Sequence, residues 1–129
     1  MKKDKAARIY LKILGGLFFL CIAVIVLVNI FFCPPWIKVP EIGRNLPANF
    51  SAAKIIFQKR VESLFPIGSR EKDIIEELEK QGFKVNLQTK SALYKKPCLV
   101  CEKIWKIYWE TDRNKNILSI SAIPNAICL

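Results

Sequence analysis

The pattern of apolar and polar residues divides the chain into a long uncharged run and a mixed remainder. From Ile13 to Phe32 the sequence ILGGLFFLCIAVIVLVNIFF carries no charge over 20 residues. As a helix rising about 1.5 Å per residue, this run would cross a hydrocarbon layer of about 30 Å with its backbone polar groups paired internally. The pattern therefore predicts a transmembrane helix over 13–32, ended by Pro34 and Pro35.

The residues that flank this run predict its orientation. The tail 1–12 carries five basic residues against Asp4, and short basic tails of this kind stay in the cytoplasm. Tyr10 and Trp36 lie where interfacial aromatic side chains are enriched, so we expect both at the membrane interface. The remainder of the chain is then expected outside the cytoplasm, in the periplasm of a bacterium with the helix in the inner membrane.

A cleaved signal peptide is the alternative interpretation of the apolar run. Cleaved signals have apolar stretches of about 7–15 residues that end in small residues. This run is longer, and Phe32 precedes Cys33 at the position where a lipoprotein signal needs a small residue. We therefore predict an uncleaved anchor, with the lipid bilayer as its partner.

Two helices are predicted after a proline-rich segment, 33–47, which we expect to act as a stiff spacer. Apolar residues recur at helical spacing over Ala48–Leu64. Ser69 is a good N-cap for a second helix, Arg70–Gln81, and Gly82 stands at the position where helices commonly end.

Alternating apolar and polar residues then predict three strands. The first is a short strand at Phe83–Leu87, followed by a polar connection over 88–97. The second contains Trp105, Ile107 and Trp109 on its buried face, and a polar turn, 111–116, leads to a returning strand, Ile117–Ile123, with Leu118, Ile120 and Ala122 on one face. The predicted fold class is α+β: one transmembrane helix, then a small domain, 48–129, of two helices packed on a three-stranded antiparallel meander.

The cysteines of this domain predict a structural disulfide. Cys98, Cys101 and Cys128 are the candidates, and cysteines close together outside the cytoplasm tend to oxidise. Cys98 is the slightly favoured partner of Cys128, because Cys101 shares the parity of the Trp105 face. A redox pair formed by Cys98 and Cys101, half of a zinc site, and pairing of the odd cysteine with Cys33 or between chains remain open.

Composition and charge argue against catalysis. The chain has no histidine, which removes the commonest general base and metal ligand. It has no Gly-rich phosphate loop, and its acidic residues cluster on one helix among basic ones, as on a solvated face. The net charge of +10 mixes both signs beyond the tail, as on a solvated surface, so no nucleic-acid partner is predicted. Without histidine or a phosphate loop, no metal or cofactor is predicted either.

Three segments carry a resemblance to a known family. They are the run Leu64–Ser69, the helix end with Gly82-Phe83-Lys84-Val85, and the tryptophan hairpin ending in Cys128. From Phe50 to Cys128 the chain resembles small bacterial envelope domains of the helix-helix-meander kind, the SmpA/OmlA (BamE-like) family and the β-lactamase-inhibitor-like fold. The resemblance implies a protein-binding or scaffolding module and no enzyme. Members of the first family are usually lipoproteins, whereas this chain has a spanning helix.

The function expected from the sequence is therefore a membrane-anchored, non-catalytic interaction module of the bacterial envelope with an envelope protein as partner. One alternative is a thiol-redox protein that uses Cys98 and Cys101. The other is a cytoplasm-facing domain that binds nucleic acid or lipid through its basic surface.

Overall fold

A computed structural model describes residues 2–32, 35–98 and 101–128, with side chains from residue 5 onward. The chain divides into two compact units, Met1–Pro35 and Trp36–Leu129. The second unit is α+β, with two helices and a four-stranded antiparallel sheet. The predicted α+β class is confirmed. The predicted number of strands is wrong, because the sheet has four strands and not three.

The first unit contains one helix, α1, which spans Lys2–Phe32. It begins before the predicted Ile13 because the lysine- and alanine-rich tail consists of strong helix formers. The 28 residues of Lys5–Phe32 are long and apolar enough to cross a membrane, and none of its most apolar stretch is buried in the protein. Asn29, the one strongly polar residue of the predicted membrane segment, donates from Nδ2 to the carbonyl of Ile25, one turn back, at 2.8 Å.

The segment predicted to be a stiff spacer is in fact part of the second unit from Trp36 onward. It contains a 3₁₀ turn, Glu41–Gly43, and Ile42 in that turn is buried in the core of the domain. Val39 and Leu46 pack against the same core. The spacer prediction is wrong here because the apolar residues between the prolines find a surface on which to pack. Cys33 and Pro34 lie outside the described residues.

Two helices follow, α2 over Phe50–Leu64 and α3 over Glu71–Lys80. Asn49 begins α2, and its side chain accepts a hydrogen bond from the backbone N–H of Ala52 at 3.1 Å. Arg70 takes the N-cap position of α3, one residue after the predicted Ser69. Both helices therefore lie within the predicted ranges.

The end of α3 has the geometry of a Schellman motif. Gly82 adopts a φ of +87°, the N–H of Phe83 donates to the carbonyl of Leu78 at 2.9 Å, and the N–H of Gly82 donates to the carbonyl of Glu79. Phe83 and Leu78 are both buried. This confirms the helix end that Gly82 and Phe83 predict.

The sheet has the order β1-β2-β3-β4, with every neighbouring pair antiparallel. Its strands are β1 (Lys84–Asn86), β2 (Ser91–Lys96), β3 (Cys101–Thr111) and β4 (Ile117–Cys128). The sequence predicted a polar connection where β2 lies. The strand was missed because its core side presents the small Ala92 and the half-buried Tyr94, between lysines and polar residues.

The core lies between one face of the sheet and the two helices. Trp105, Ile107 and Trp109 of β3 are all buried, as predicted. They pack in one cluster with Phe57 and Val61 of α2 and with other residues of both helices and the sheet. The core-facing residues of β3 therefore form the surface on which both helices pack.

A β-bulge changes which residues of β4 face the core. Thr111 pairs with Ile117 while Glu110 pairs with Ser119, so Leu118 is the extra residue. Leu118 is consequently 55% exposed and Ile117 takes its place in the core. The prediction that Leu118 shares a face with Ile120 and Ala122 is wrong, because alternation counted from the turn does not allow for the bulge. Ala122 is fully buried and Ile120 packs partly buried against the core.

The outer edge of β4 is covered in three different ways. The N–H of Ala122 donates to Oε1 of Gln58, a residue of α2, at 2.6 Å. Pro124 has no N–H to offer, and the N–H of Ala126 donates to Oδ1 of Asn125. These residues protect the edge from pairing with another strand, as edge strands of natural sheets commonly are.

Candidate functional site at the disulfide end of the sheet

A disulfide joins the first residue of β3 to the last residue of β4. Cys101 and Cys128 lie directly opposite each other, with their Cα atoms 4.0 Å apart. Opposed residues in a non-hydrogen-bonded antiparallel pair come this close. The bond therefore fastens the end of β4 to the start of β3. The sequence slightly favoured Cys98 as the partner of Cys128, and this was wrong because β4 runs five residues beyond Ile123 and reaches Cys101.

The pairing bears directly on the redox alternative. Cys98 and Cys101 are not bonded to each other, because Cys101 is bonded to Cys128. Cys98 is disulfide-bonded as well. Cys33, the other pairing left open by the sequence, lies outside the described residues. Cys21, in α1, is exposed and carries a free thiol.

An apolar groove opens beside this bond, at what we call the disulfide end of the sheet: residues 95–96 of β2, 101–103 of β3 and 126–128 of β4. The groove has a volume of about 500 Å³ and lies between the segment 39–50 and the sheet. Its walls are formed by Val39, Leu46, Phe50, Trp105 and Pro124, with Lys103 at the sheet side.

Gly43 and Trp105 form the floor of the groove. A Cβ atom on Gly43 would lie 2.6 Å from Nε1 and 2.9 Å from Cδ1 of Trp105, closer than any side chain can approach. Glycine therefore allows the 3₁₀ turn to rest directly on the indole ring. The indole Nε1 is buried and has no hydrogen-bond acceptor within the part of the chain that the structure describes.

Two lysines lie directly opposite each other beside the groove. Lys96 of β2 pairs in register with Lys103 of β3. Like charges at opposed positions repel each other, and neither lysine forms an ion pair with any described residue. The neighbouring Lys95 points to the other face of the sheet and lies 3.9 Å from Glu102. The groove side of the disulfide end is therefore positively charged.

The acidic residues of α3 are structural in this fold. Asp73, Glu76 and Glu77 form exposed or partly exposed ion pairs with neighbouring basic residues of the same helix region. Oε1 of Glu71 accepts the indole N–H of Trp109 at 3.0 Å. Among the described residues, no three metal-ligating side chains come together.

The turn between β3 and β4 depends on one carboxylate. Oδ1 of Asp112 accepts the backbone N–H groups of Asn114 and Asn116, both at 2.8 Å. The hydrogen bond from the backbone of Asn116 is the main reason why the pKa of Asp112 lies below 3.8, its ordinary value. The polar turn that the sequence predicted thus contains a local hydrogen-bonded loop.

The residues expected at the membrane interface are both on the surface. Tyr10 is 72% exposed in the first unit and Trp36 is 66% exposed in the second. The groove and the Lys96–Lys103 pair were missed by sequence reasoning. Both features follow from the register of β2 against β3. This register could not be predicted because the sequence analysis did not identify β2 as a strand.

Comparison with known proteins gives no relative for this chain: no family model, no curated protein and no solved structure matches it.

Proposed function

We propose that this chain is a single-pass membrane protein whose second unit is a non-catalytic protein-interaction or scaffolding module outside the cytoplasm of a bacterium. The observation that carries the proposal is α1, in which Lys5–Phe32 is apolar, long enough to span a bilayer, and unburied in its most apolar stretch. An unburied apolar helix of this length is unfavourable in water and stable in lipid.

The disulfide supports the proposed compartment. Disulfides persist outside the cytoplasm and are rare within it. The bond between Cys101 and Cys128 lies between two strands of the sheet, where it ties the chain end in place. An extracytoplasmic domain with the basic tail inside agrees with both the bond and the charge of the tail.

The surface of the second unit supports an interaction role. Phe50 and Ile55 of α2 are each more than half exposed, and they line a shallow apolar depression on that helix. The order of elements, two helices followed by an antiparallel sheet, is the order that the resemblance to BamE-like domains implies. An envelope protein that packs on α2 is the partner we propose.

A topology fusion tests the compartment. A reporter enzyme active only outside the cytoplasm and one active only inside it are each fused after Leu129 in the full chain. We expect activity from the first fusion and none from the second. The reverse pattern, or a mature chain that begins beyond Phe32, would overturn the proposal.

Site-specific crosslinking in living cells tests the interaction role. A photoreactive residue at Ile55 should give one crosslinked product of defined mass, because this side chain is exposed and apolar. The same residue at Lys72, on the exposed face of α3, is the matched control and should give none. No product from Ile55 would argue against a partner on α2.

The redox alternative needs a bond between Cys98 and Cys101, and the observed bond joins Cys101 to Cys128. A CxxC redox pair also relies on a helix N-terminus to lower the pKa of its thiol, and Cys101 begins a strand. We therefore do not propose a redox function.

A further inference from the structure

We propose that the groove at the disulfide end binds one anionic phospholipid from the membrane that holds α1. Its phosphate group would lie at Lys96 and Lys103, and an acyl chain would lie along the apolar walls. This assignment rests on the membrane anchoring proposed above and adds a ligand to the second unit.

The shape and lining of the groove fit an amphiphile. A volume of about 500 Å³ lies within the range of ligand pockets, roughly 300–1,000 Å³. Val39, Leu46 and Phe50 form an apolar wall, and Phe50 remains 54% exposed at the rim. An apolar chain placed there would cover surface that the domain itself leaves in contact with water.

The charge of the groove selects an anion. Lys96 and Lys103 lie directly opposite each other on the neighbouring strands β2 and β3, and neither has a carboxylate partner among the described residues. The repulsion between their like charges lowers the stability of the domain. A phosphate between them would remove the repulsion and form charge-assisted hydrogen bonds with both ammonium groups.

The chain that connects α1 to the second unit is short. Lys38 follows Phe32 by six residues, and six extended residues span at most about 20 Å. The hydroxyl of Tyr94 donates to the carbonyl of Lys38 at 2.6 Å, and Lys96 lies two residues further along β2. The lysine pair thus belongs to the same part of the second unit as Lys38.

Quenching by brominated lipid tests the proposal in the full chain. Trp36→Phe removes the exposed tryptophan, so that the emission comes from Trp105, at the groove floor, and Trp109. The protein is reconstituted into phosphatidylcholine vesicles that contain either brominated phosphatidylglycerol or brominated phosphatidylcholine at the same mole fraction. We expect a greater loss of emission with brominated phosphatidylglycerol. Equal loss with the two lipids would overturn the proposal.

Charge variants identify the residues that bind. K96Q/K103Q should weaken the response to phosphatidylglycerol roughly thirtyfold, as expected for about 1 kcal/mol per lysine near a membrane surface. K96R/K103R should retain the response because both charges remain. K54Q/K59Q, on α2, removes the same charge elsewhere and should also retain it. An unchanged response in K96Q/K103Q would overturn the assignment of these lysines.

Two further experiments distinguish failure of the proposed membrane anchor from failure of the proposed lipid site. Flotation with pure phosphatidylcholine vesicles tests the anchor alone. A chain that fails to float contradicts the proposed function, whereas a chain that floats but is quenched equally by the two brominated lipids contradicts only the lipid assignment. Acetylation of Lys96 and Lys103 is measured with soluble glycerol phosphate and with phosphatidylglycerol vesicles. Protection by vesicles alone supports the lipid, and equal protection by the soluble compound would overturn it in favour of a free phosphate ligand.

Discussion

The side-chain amide of Gln58 binds the outer edge of β4 at Ala122 as a neighbouring strand would. Its Oε1 accepts the N–H of Ala122 at 2.6 Å, and its Nε2 donates to the carbonyl of Ile120 at 2.8 Å. Both hydrogen bonds are partly buried. One side chain of α2 therefore satisfies two backbone groups of the edge strand and fixes the helix along the sheet.

Replacing Gln58 should lower the stability of the domain. Gln58→Ala leaves a partly buried N–H and C=O of β4 unpaired, at a cost of about 1–3 kcal/mol in the free energy of unfolding. The measurement is urea unfolding of the full chain in detergent micelles, followed by tryptophan emission. Glu62→Ala removes only the exposed contact between Gln58 and Glu62 and should stay within about 0.5 kcal/mol. Equal losses in the two variants would contradict the role of the edge contacts.

A side chain at Gly43 should disrupt the contact between the 3₁₀ turn and Trp105. The added Cβ of Gly43→Ala would meet the indole ring at 2.6 Å, so we expect a loss of about 1–3 kcal/mol in the free energy of unfolding. The same urea experiment measures it. Gly16→Ala, in α1, meets no atom within 4 Å and is the matched control. An unfolding midpoint of Gly43→Ala equal to that of the control would show that the turn does not rest on the ring.

Removal of the disulfide should destabilise the domain and reveal its pairing. The bond closes a loop with a sequence separation of 27, which corresponds to about 3–4 kcal/mol on the chain-entropy estimate. We expect a loss of this size in Cys128→Ser, and alkylation of Cys101 that is absent in the unmodified chain. Cys21→Ser should leave unfolding unchanged. Peptide mapping without reductant that found Cys98 joined to Cys101 would support a redox pair instead.

Acid should remove the contribution of Asp112. Because folding lowers the pKa of this carboxylate below 3.8, its charge stabilises the folded chain fully above about pH 4 and less as the pH falls through the lowered pKa. Asp112→Asn keeps an acceptor oxygen and removes the charge. The difference in unfolding free energy between the two chains, measured from pH 6 downward, should shrink below pH 4. A difference independent of pH would show that the hydrogen bonds do not depend on ionisation.

The helices and the central strand could be predicted because their signals are local. The cap of α3 needs only Gly82 and Phe83, and the alternation of Trp105, Ile107 and Trp109 defines the core face of β3 without knowledge of its neighbours. These elements account for most of the core.

The remaining features depend on pairing between distant segments. The position of Leu118 depends on a bulge that arises where β4 meets β3, and β2 is stable as a strand only because β1 and β3 lie on either side. The segment around Ile42 packs because Gly43 can approach Trp105. The Lys96–Lys103 pair follows from the register, so the groove could not be identified before β2 was known.

The bond between Cys101 and Cys128 also determines how the domain responds to mechanical load. Tension applied between the membrane and the far end of the chain passes from β3 into β4 through the two sulfur atoms. The β3–β4 hairpin between the two cysteines then carries no load and does not extend, although the cysteines are 27 residues apart in sequence. Reduction of this bond would therefore lengthen the fully extended domain by the contour of the hairpin.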